Sequence, residues 1–315
     1  MAVRVDTLID AADRALRRQE RAILREIDTH LTQTYRRLNE QIGRAYRAAA
    51  AEIPADASRA FREARAVVMA RQVETAMEAL RVDQGPLPGE LRERLVAAYR
   101  EGAENAEATL ARYRGERVPF PTGQVNLEAV ELLVERSRER LFRHGPEAQR
   151  RIRQAVVDGL VRGRGYRVVA REIRHETAVL QSRAEAIART ELGSAMTDAR
   201  LEHFEREGVP LVQWVATEDE RTCEYCGARH GNVYNRRDVT LPAHVNCRCA
   251  LAPMRREWIE EDLADTDWWR ESQSEVDELM QAQGIKPNYQ ATPFERAAGR
   301  PAAKAVWTPR SGWRR

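Results

Sequence analysis

Apolar side chains recur along residues 3–52 at Val5, Ile9, Ala12, Leu16, Ile23, Ile27, Leu31, Tyr35, Leu38, Ile42 and Ala49. Steps of three, four and seven return to one side of a 3.6-residue repeat, so the pattern predicts a single helix of about 45 residues. Gly43 alone weakens it, and Pro54 ends it. Two more helices are expected over 58–83 and 90–113, divided by the breaker Gly-Pro-Leu-Pro-Gly at 85–89. Arginine and glutamate cover their outer faces, the pattern of a solvated helical region with no chemistry of its own.

Beyond a linker at 115–124, Asn126 is placed to cap a helix, with Val125 and Val130 spaced for a hydrophobic staple. That helix should reach about Phe142 and stop at Gly145. Pro146 suits the first position of the next one, which runs to about Gly163. Residues 165–174 read as a turn and a short helix, and 183–208 as a separate strong helix closed by Gly208. On the latter, Ala184, Ala188, Ala195 and Ala199 form a narrow stripe that lets another element come close. Glu191 either sits on its surface or is buried and tied to the segment downstream, with Arg248 as the partner. Residues 210–216, apolar on both faces, read as a buried strand.

Charged residues make up 32% of the chain and aromatics 6%, with mean hydropathy −0.63, a helix-friendly composition. The net charge of +3 does not announce a nucleic-acid binder. The first twenty residues lack an apolar leader core, and no apolar run approaches the roughly 20 residues that span a bilayer. A cytosolic, thiol-reducing setting is expected, where clustered cysteines favour metal over disulfides.

All four cysteines fall between Cys223 and Cys249. Cys223-x2-Cys226 has the spacing of a zinc knuckle, and His244-x2-Cys247-x-Cys249 follows after 17 residues. The loop between them is rich in turn formers and poor in apolar side chains, so it cannot build a core alone. A structural zinc contributes about 10–16 kcal/mol to such units. The expected site is Cys223 and Cys226 plus two of His244, Cys247 and Cys249, with His230 facing solvent. Disulfides, a dithiol redox pair at Cys223–Cys226, and a zinc nuclease built on His244 and Asn246 are the competing readings.

These residues carry a resemblance. Ala188-Arg189-Thr190-Glu191 on a helix, Trp214 in a strand, Asp219 through Cys226 and His244 through Cys249 together resemble the phage Mu protein F-like family of head morphogenesis (minor capsid) proteins. The resemblance covers roughly 127–253. It implies a non-enzymatic, structural role in the phage head, near the portal protein and the major capsid or scaffold protein, and a virion location after assembly in the host cytoplasm.

The expected fold is therefore mainly α with a small α+β zinc-stabilised module. A helical region at 1–115 and a linker at 116–126 precede a head morphogenesis domain at 127–253, whose zinc module is 217–253. The alternative function is a zinc-containing nucleic-acid-binding or nuclease protein. Against it, residues 217–253 hold five arginines and five acids, with no basic patch in sequence.

The remaining 254–315 read as an extended docking tail. Residues 257–278 carry ten acids against Arg270 alone. Thr266 could cap a helix to about Gln283, with Trp269, Val276 and Met280 on one face. Beyond it, Tyr289, Phe294, Trp307 and Trp313 are spaced as anchors. Six cations and no acid in 296–315 suggest contact with an acidic surface or packaged DNA.

Overall fold

The computed structural model describes residues 5–79, 87–115, 125–142, 145–217, 221–260, 266–284, 303–308 and 312–313. The chain forms two compact units, each drawn from separate stretches. The first unit comprises Met1–Glu20, Glu93–Leu133 and Arg189–Arg315, and the second comprises Arg21–Arg92 and Val134–Ala188.

The second unit is helical. Helix α1 spans Val5–Ala51, and its later turns belong here together with α2 (Arg59–Ala79) and α5 (Gly145–Val161). Ile42 and Tyr46 of α1, Met69 and Val73 of α2, and Ile152 and Val156 of α5 share one core. Gly43 has a packing reason: a Cβ there would lie 2.8 Å from the Tyr166 ring, whose hydroxyl donates to the Asn39 carbonyl. The pocket lined by Ile42, Ala45, Met69 and Val73 encloses about 320 Å³.

Helix α3 (Leu87–Tyr113) takes the Pro-Gly of the expected breaker into its first turn. Proline is tolerated there because the first N–H groups of a helix lack internal partners. Helix α4 (Leu127–Phe142) starts as its sequence predicts, with the Asn126 Oδ1 accepting from the Ala129 N–H at 3.1 Å.

Helix α6 is one continuous element, Tyr166–Arg206, and not the two helices expected over 165–174 and 183–208. Residues 175–182 contain no glycine or proline, so nothing interrupts its hydrogen bonds. It ends as expected at Gly208, whose φ of 64° suits glycine. Within the first unit α6 meets α3 closely. A Cβ on Gly102 would stand 2.4 Å from the Met196 carbonyl oxygen, and Ala195 and Ala199 beside it are buried.

Five short strands complete the first unit: β1 (Leu211–Val215), β2 (Val233–Asn235), β3 (Ala250–Met254), β4 (Trp307–Thr308) and β5 (Gly312–Trp313). They form an antiparallel sheet in the order β3-β1-β2-β4-β5. All five residues of β1 are buried, as expected of a strand apolar on both faces. One side packs Val212 and Trp214 with Phe204 of α6 and Leu110 of α3; the other packs Leu211 and Val215 with Val233, Met254 and Ile259.

The tail is woven into this sheet. Helix α8 (Arg256–Glu260) brings Trp258 onto Tyr113, with ring centroids 4.5 Å apart and planes 4° from parallel. Helix α9 (Thr266–Ala282) matches the predicted tail helix, and its Val276 and Met280 are buried. Trp307, read in sequence as an anchor for a partner, is buried in β4, paired with Val233. The side chains of Trp269, Tyr289, Phe294 and Trp313 lie outside the described residues.

Candidate metal centre

Every predicted ligand sits at the end of the sheet where β1 leaves and β3 begins. Cys223 and Cys226 flank the first turn of α7 (Glu224–Gly227), whose tight geometry comes from the Cys226 and Gly227 N–H groups donating to the Cys223 carbonyl. His244, Cys247 and Cys249 lie on the loop that feeds β3. The fold thus brings together two stretches that the sequence separates by 17 residues.

The donor atoms converge in two overlapping groups, Cys223–Cys226–His244 and Cys226–Cys247–Cys249, each with all atoms within 4.8 Å of one another. Cys226 belongs to both. The His244 Nε2 lies 3.1 Å from the Cys223 Sγ and 3.2 Å from the Cys226 Sγ. The sulfurs of Cys226 and Cys247 are 3.9 Å apart. Thiolates bound tetrahedrally at about 2.3 Å stand about 3.8 Å from one another, so that spacing suits shared coordination. All four cysteines are free thiols, which removes the disulfide reading from this structure.

The His244 ring is oriented from behind. Its Nδ1 is 2.8 Å from the Val245 carbonyl, which can only accept, so Nδ1 carries the proton and Nε2 turns its lone pair to the sulfurs. Without a cation that lone pair takes a proton. Burial opposes charge there, but the Cys223 and Cys247 sulfurs reverse it and push His244 up to about 11. The neighbouring Cys226 sulfur, with His244 assisting, holds Cys223 down at about 4. Cys226 is driven far up by Cys223 and Cys247, since sulfurs this close together cannot all ionise without a cation's charge. A divalent cation replaces this competition for protons with one shared positive charge.

The surroundings hold the two stretches in register. Thr217 Oγ1 donates to the Arg248 carbonyl at 2.9 Å, and the Thr222 hydroxyl donates to the Thr217 carbonyl. The N–H of Asn246, which adopts φ 61°, donates to Thr190 Oγ1 at 3.2 Å and ties the loop to α6. Glu191 beside it is fully buried, which settles the two expectations for it against the surface. Met280 of α9 covers Gly227, where an added Cβ would collide with its sulfur. The buried indole N–H of Trp214 finds no oxygen or nitrogen acceptor, and the Cys249 sulfur is the polar group beside it.

His230 corrects the sequence reading. It is fully buried rather than facing solvent. Its Nδ1 accepts from the Ala216 N–H at 3.1 Å, while Gly231 and Asn232 exchange backbone hydrogen bonds with Trp214. The ring locks the loop onto the end of β1, and burial pushes its pKa down to about 4, so it is neutral. Arg229, also buried, donates to the Tyr225 carbonyl at 3.0 Å and lies 5.7 Å over the Trp214 ring. A polar residue on a loop gives no periodic signal of burial, so sequence reasoning had nothing to find it by.

A helix-backed antiparallel sheet whose far end gathers four cysteines and a histidine defines a small α+β module with a donor cluster that could hold a metal ion. Residues 150–252 match the family model described as Phage Mu protein F like protein, the family that the motifs between Ala188 and Cys249 resemble. The match starts in α5 and ends in β3, and it supports a phage head morphogenesis protein in general. No curated protein and no solved structure gives a significant match. Among the described residues, no helix is long and apolar enough to cross a membrane.

Proposed function

We propose that the protein is a minor head protein of a phage virion that acts structurally in head morphogenesis, with a zinc ion as the staple of its sheet. The observation that carries this reading is that the family match at 150–252 encloses a built donor cluster of four thiols and one imidazole. Soft sulfur ligands with one imidazole in tetrahedral reach select zinc among common divalent ions. Cys223, Cys226, His244 and Cys247 supply four ligands, and Cys249 stands beside them as a fifth donor held against Trp214. With more donors than a tetrahedron needs, the site leaves no open position for substrate, which favours a structural metal over a catalytic one.

The partners we assign are the portal protein and the major capsid or scaffold protein. Packaged DNA remains a partner for the basic end of the tail, although Ala305 and Trp307 are taken up by the protein's own sheet. The direct test is to purify heads assembled with and without this gene product. Protein found at fixed low copy in wild-type heads, and misassembled or unfilled heads without it, supports the reading. Normal, infectious heads that lack the protein would end it.

A further inference from the structure

Dividing the sequence between the two units separates its charge. Residues 21–92 and 134–188 hold 25 arginines against 17 aspartates and glutamates, net +8, while the rest holds 27 cations against 32 acids, net −5. The whole-chain value of +3 conceals this, because each unit is assembled from distant stretches.

Part of the excess is gathered on one face. Arg167, Arg171 and Arg174 recur at intervals of four and three on α6, and all three are exposed. The acids of this stretch are turned aside. Glu172 holds Arg164 at 3.3 Å, and Glu176, whose side chain is only 17% exposed, holds Arg151 at 3.6 Å. Helix α1 adds Arg47, whose guanidinium lies 5.3 Å over the Tyr166 ring, and the same phenol feels the positive charge of Arg174. None of these four arginines has a carboxylate partner among the described residues.

Clustered like charges repel one another unless an anion answers them. Ala178 and Ser182 continue the exposed face, and Val168 at its edge is a single exposed aliphatic side chain, too little for the apolar centre of a protein interface. Guanidinium forks match the paired oxygens of a phosphodiester. We infer that Arg167, Arg171 and Arg174 of α6, with Arg47 of α1, bind the phosphate backbone of double-stranded nucleic acid. Contacts of this kind position the molecule without reading bases. The inference does not depend on the metal centre.

The test measures binding of the full chain to a fluorescent duplex of mixed sequence by anisotropy, over about 50–200 mM salt. Wild-type protein should bind with an affinity that falls steeply with salt. The variant R167Q/R171Q/R174Q should lose roughly three from the slope of log K against log salt, near 0.9 per phosphate contact, and at least about tenfold in affinity at low salt. The control R310Q/R314Q/R315Q, which removes charge from the basic end of the tail, should keep the roughly three units of slope that the α6 face supplies. No binding by wild type at low salt, an unchanged slope in the α6 variant, or loss only in the control would each overturn the inference. If the α6 variant keeps its DNA affinity but loses a salt-sensitive self-association, the face meets an acidic protein surface and the inference is likewise wrong.

Discussion

Replacing Gly102 by alanine tests whether the first unit depends on close approach of α3 and α6. The new Cβ would stand 2.4 Å from the Met196 carbonyl oxygen and 2.8 Å from its Cα, both backbone atoms that no rotamer change can move. Relief requires the helices to part by about 1 Å, since carbon contacts relax near 3.5 Å. Overpacking of this kind costs about 1–3 kcal/mol, against which alanine recovers up to about 1 kcal/mol of helix propensity. The net expectation is a loss of about 1–2 kcal/mol, or a fall of about 2–8 °C in melting temperature for a unit of this size. Gly89→Ala is the internal control, because nothing lies within 4 Å of its added Cβ. It should be neutral or slightly stabilising. Differential scanning calorimetry of the two variants reads the comparison directly. If Gly102→Ala melts at or above wild type, the helices do not touch as described.

Three further outcomes follow from the site and the sheet. His230 has a folded pKa of about 4 against an ordinary value near 6.5, so the unfolded chain binds its proton first as pH falls. Its contribution of about 3 kcal/mol should be complete above pH 6.5 and lost toward pH 4. His230→Gln, which can still accept from the Ala216 N–H, should flatten the stability profile in that window; identical profiles would refute the buried neutral ring. Cys226→Ser should lose bound metal because Cys226 belongs to both donor groups, whereas Cys249→Ser should retain most of it; equal retention in metal analysis would contradict the ligand assignment. Trp307→Ala should cost about 3–5 kcal/mol in a denaturant titration, the price of a buried aromatic, and a cost below about 0.5 kcal/mol would return Trp307 to the surface.

The helices were legible because periodic apolar positions report a buried face directly, as α1, α4 and α9 show. The ligands were legible because metal spacing is local in each half of the cluster. What stayed hidden depends on distant partners. Strands β4 and β5 are two residues each, too short for any alternation, and Trp307 finds its place through residues distant in sequence, pairing with Val233 and packing with Leu211 and Met254. The burial of His230 follows from its place against the end of β1, where it accepts from the Ala216 N–H. The union of 165–174 with 183–208 in α6 is not legible because the apolar residues of the intervening stretch, Ala178, Val179 and Leu180, run consecutively and show no helical spacing. The separation of charge between the units was invisible for the same reason: neither unit is a contiguous segment.

The central claim is that one structural metal holds the end of this sheet. Its most direct test is elemental analysis of the full chain purified without added metal, paired with a thiol count on the same sample. The account predicts about one zinc per folded chain, released together with four reactive thiols when the protein is denatured in a chelator. Less than about 0.3 zinc per folded chain, with all thiols intact and the fold retained, would contradict it.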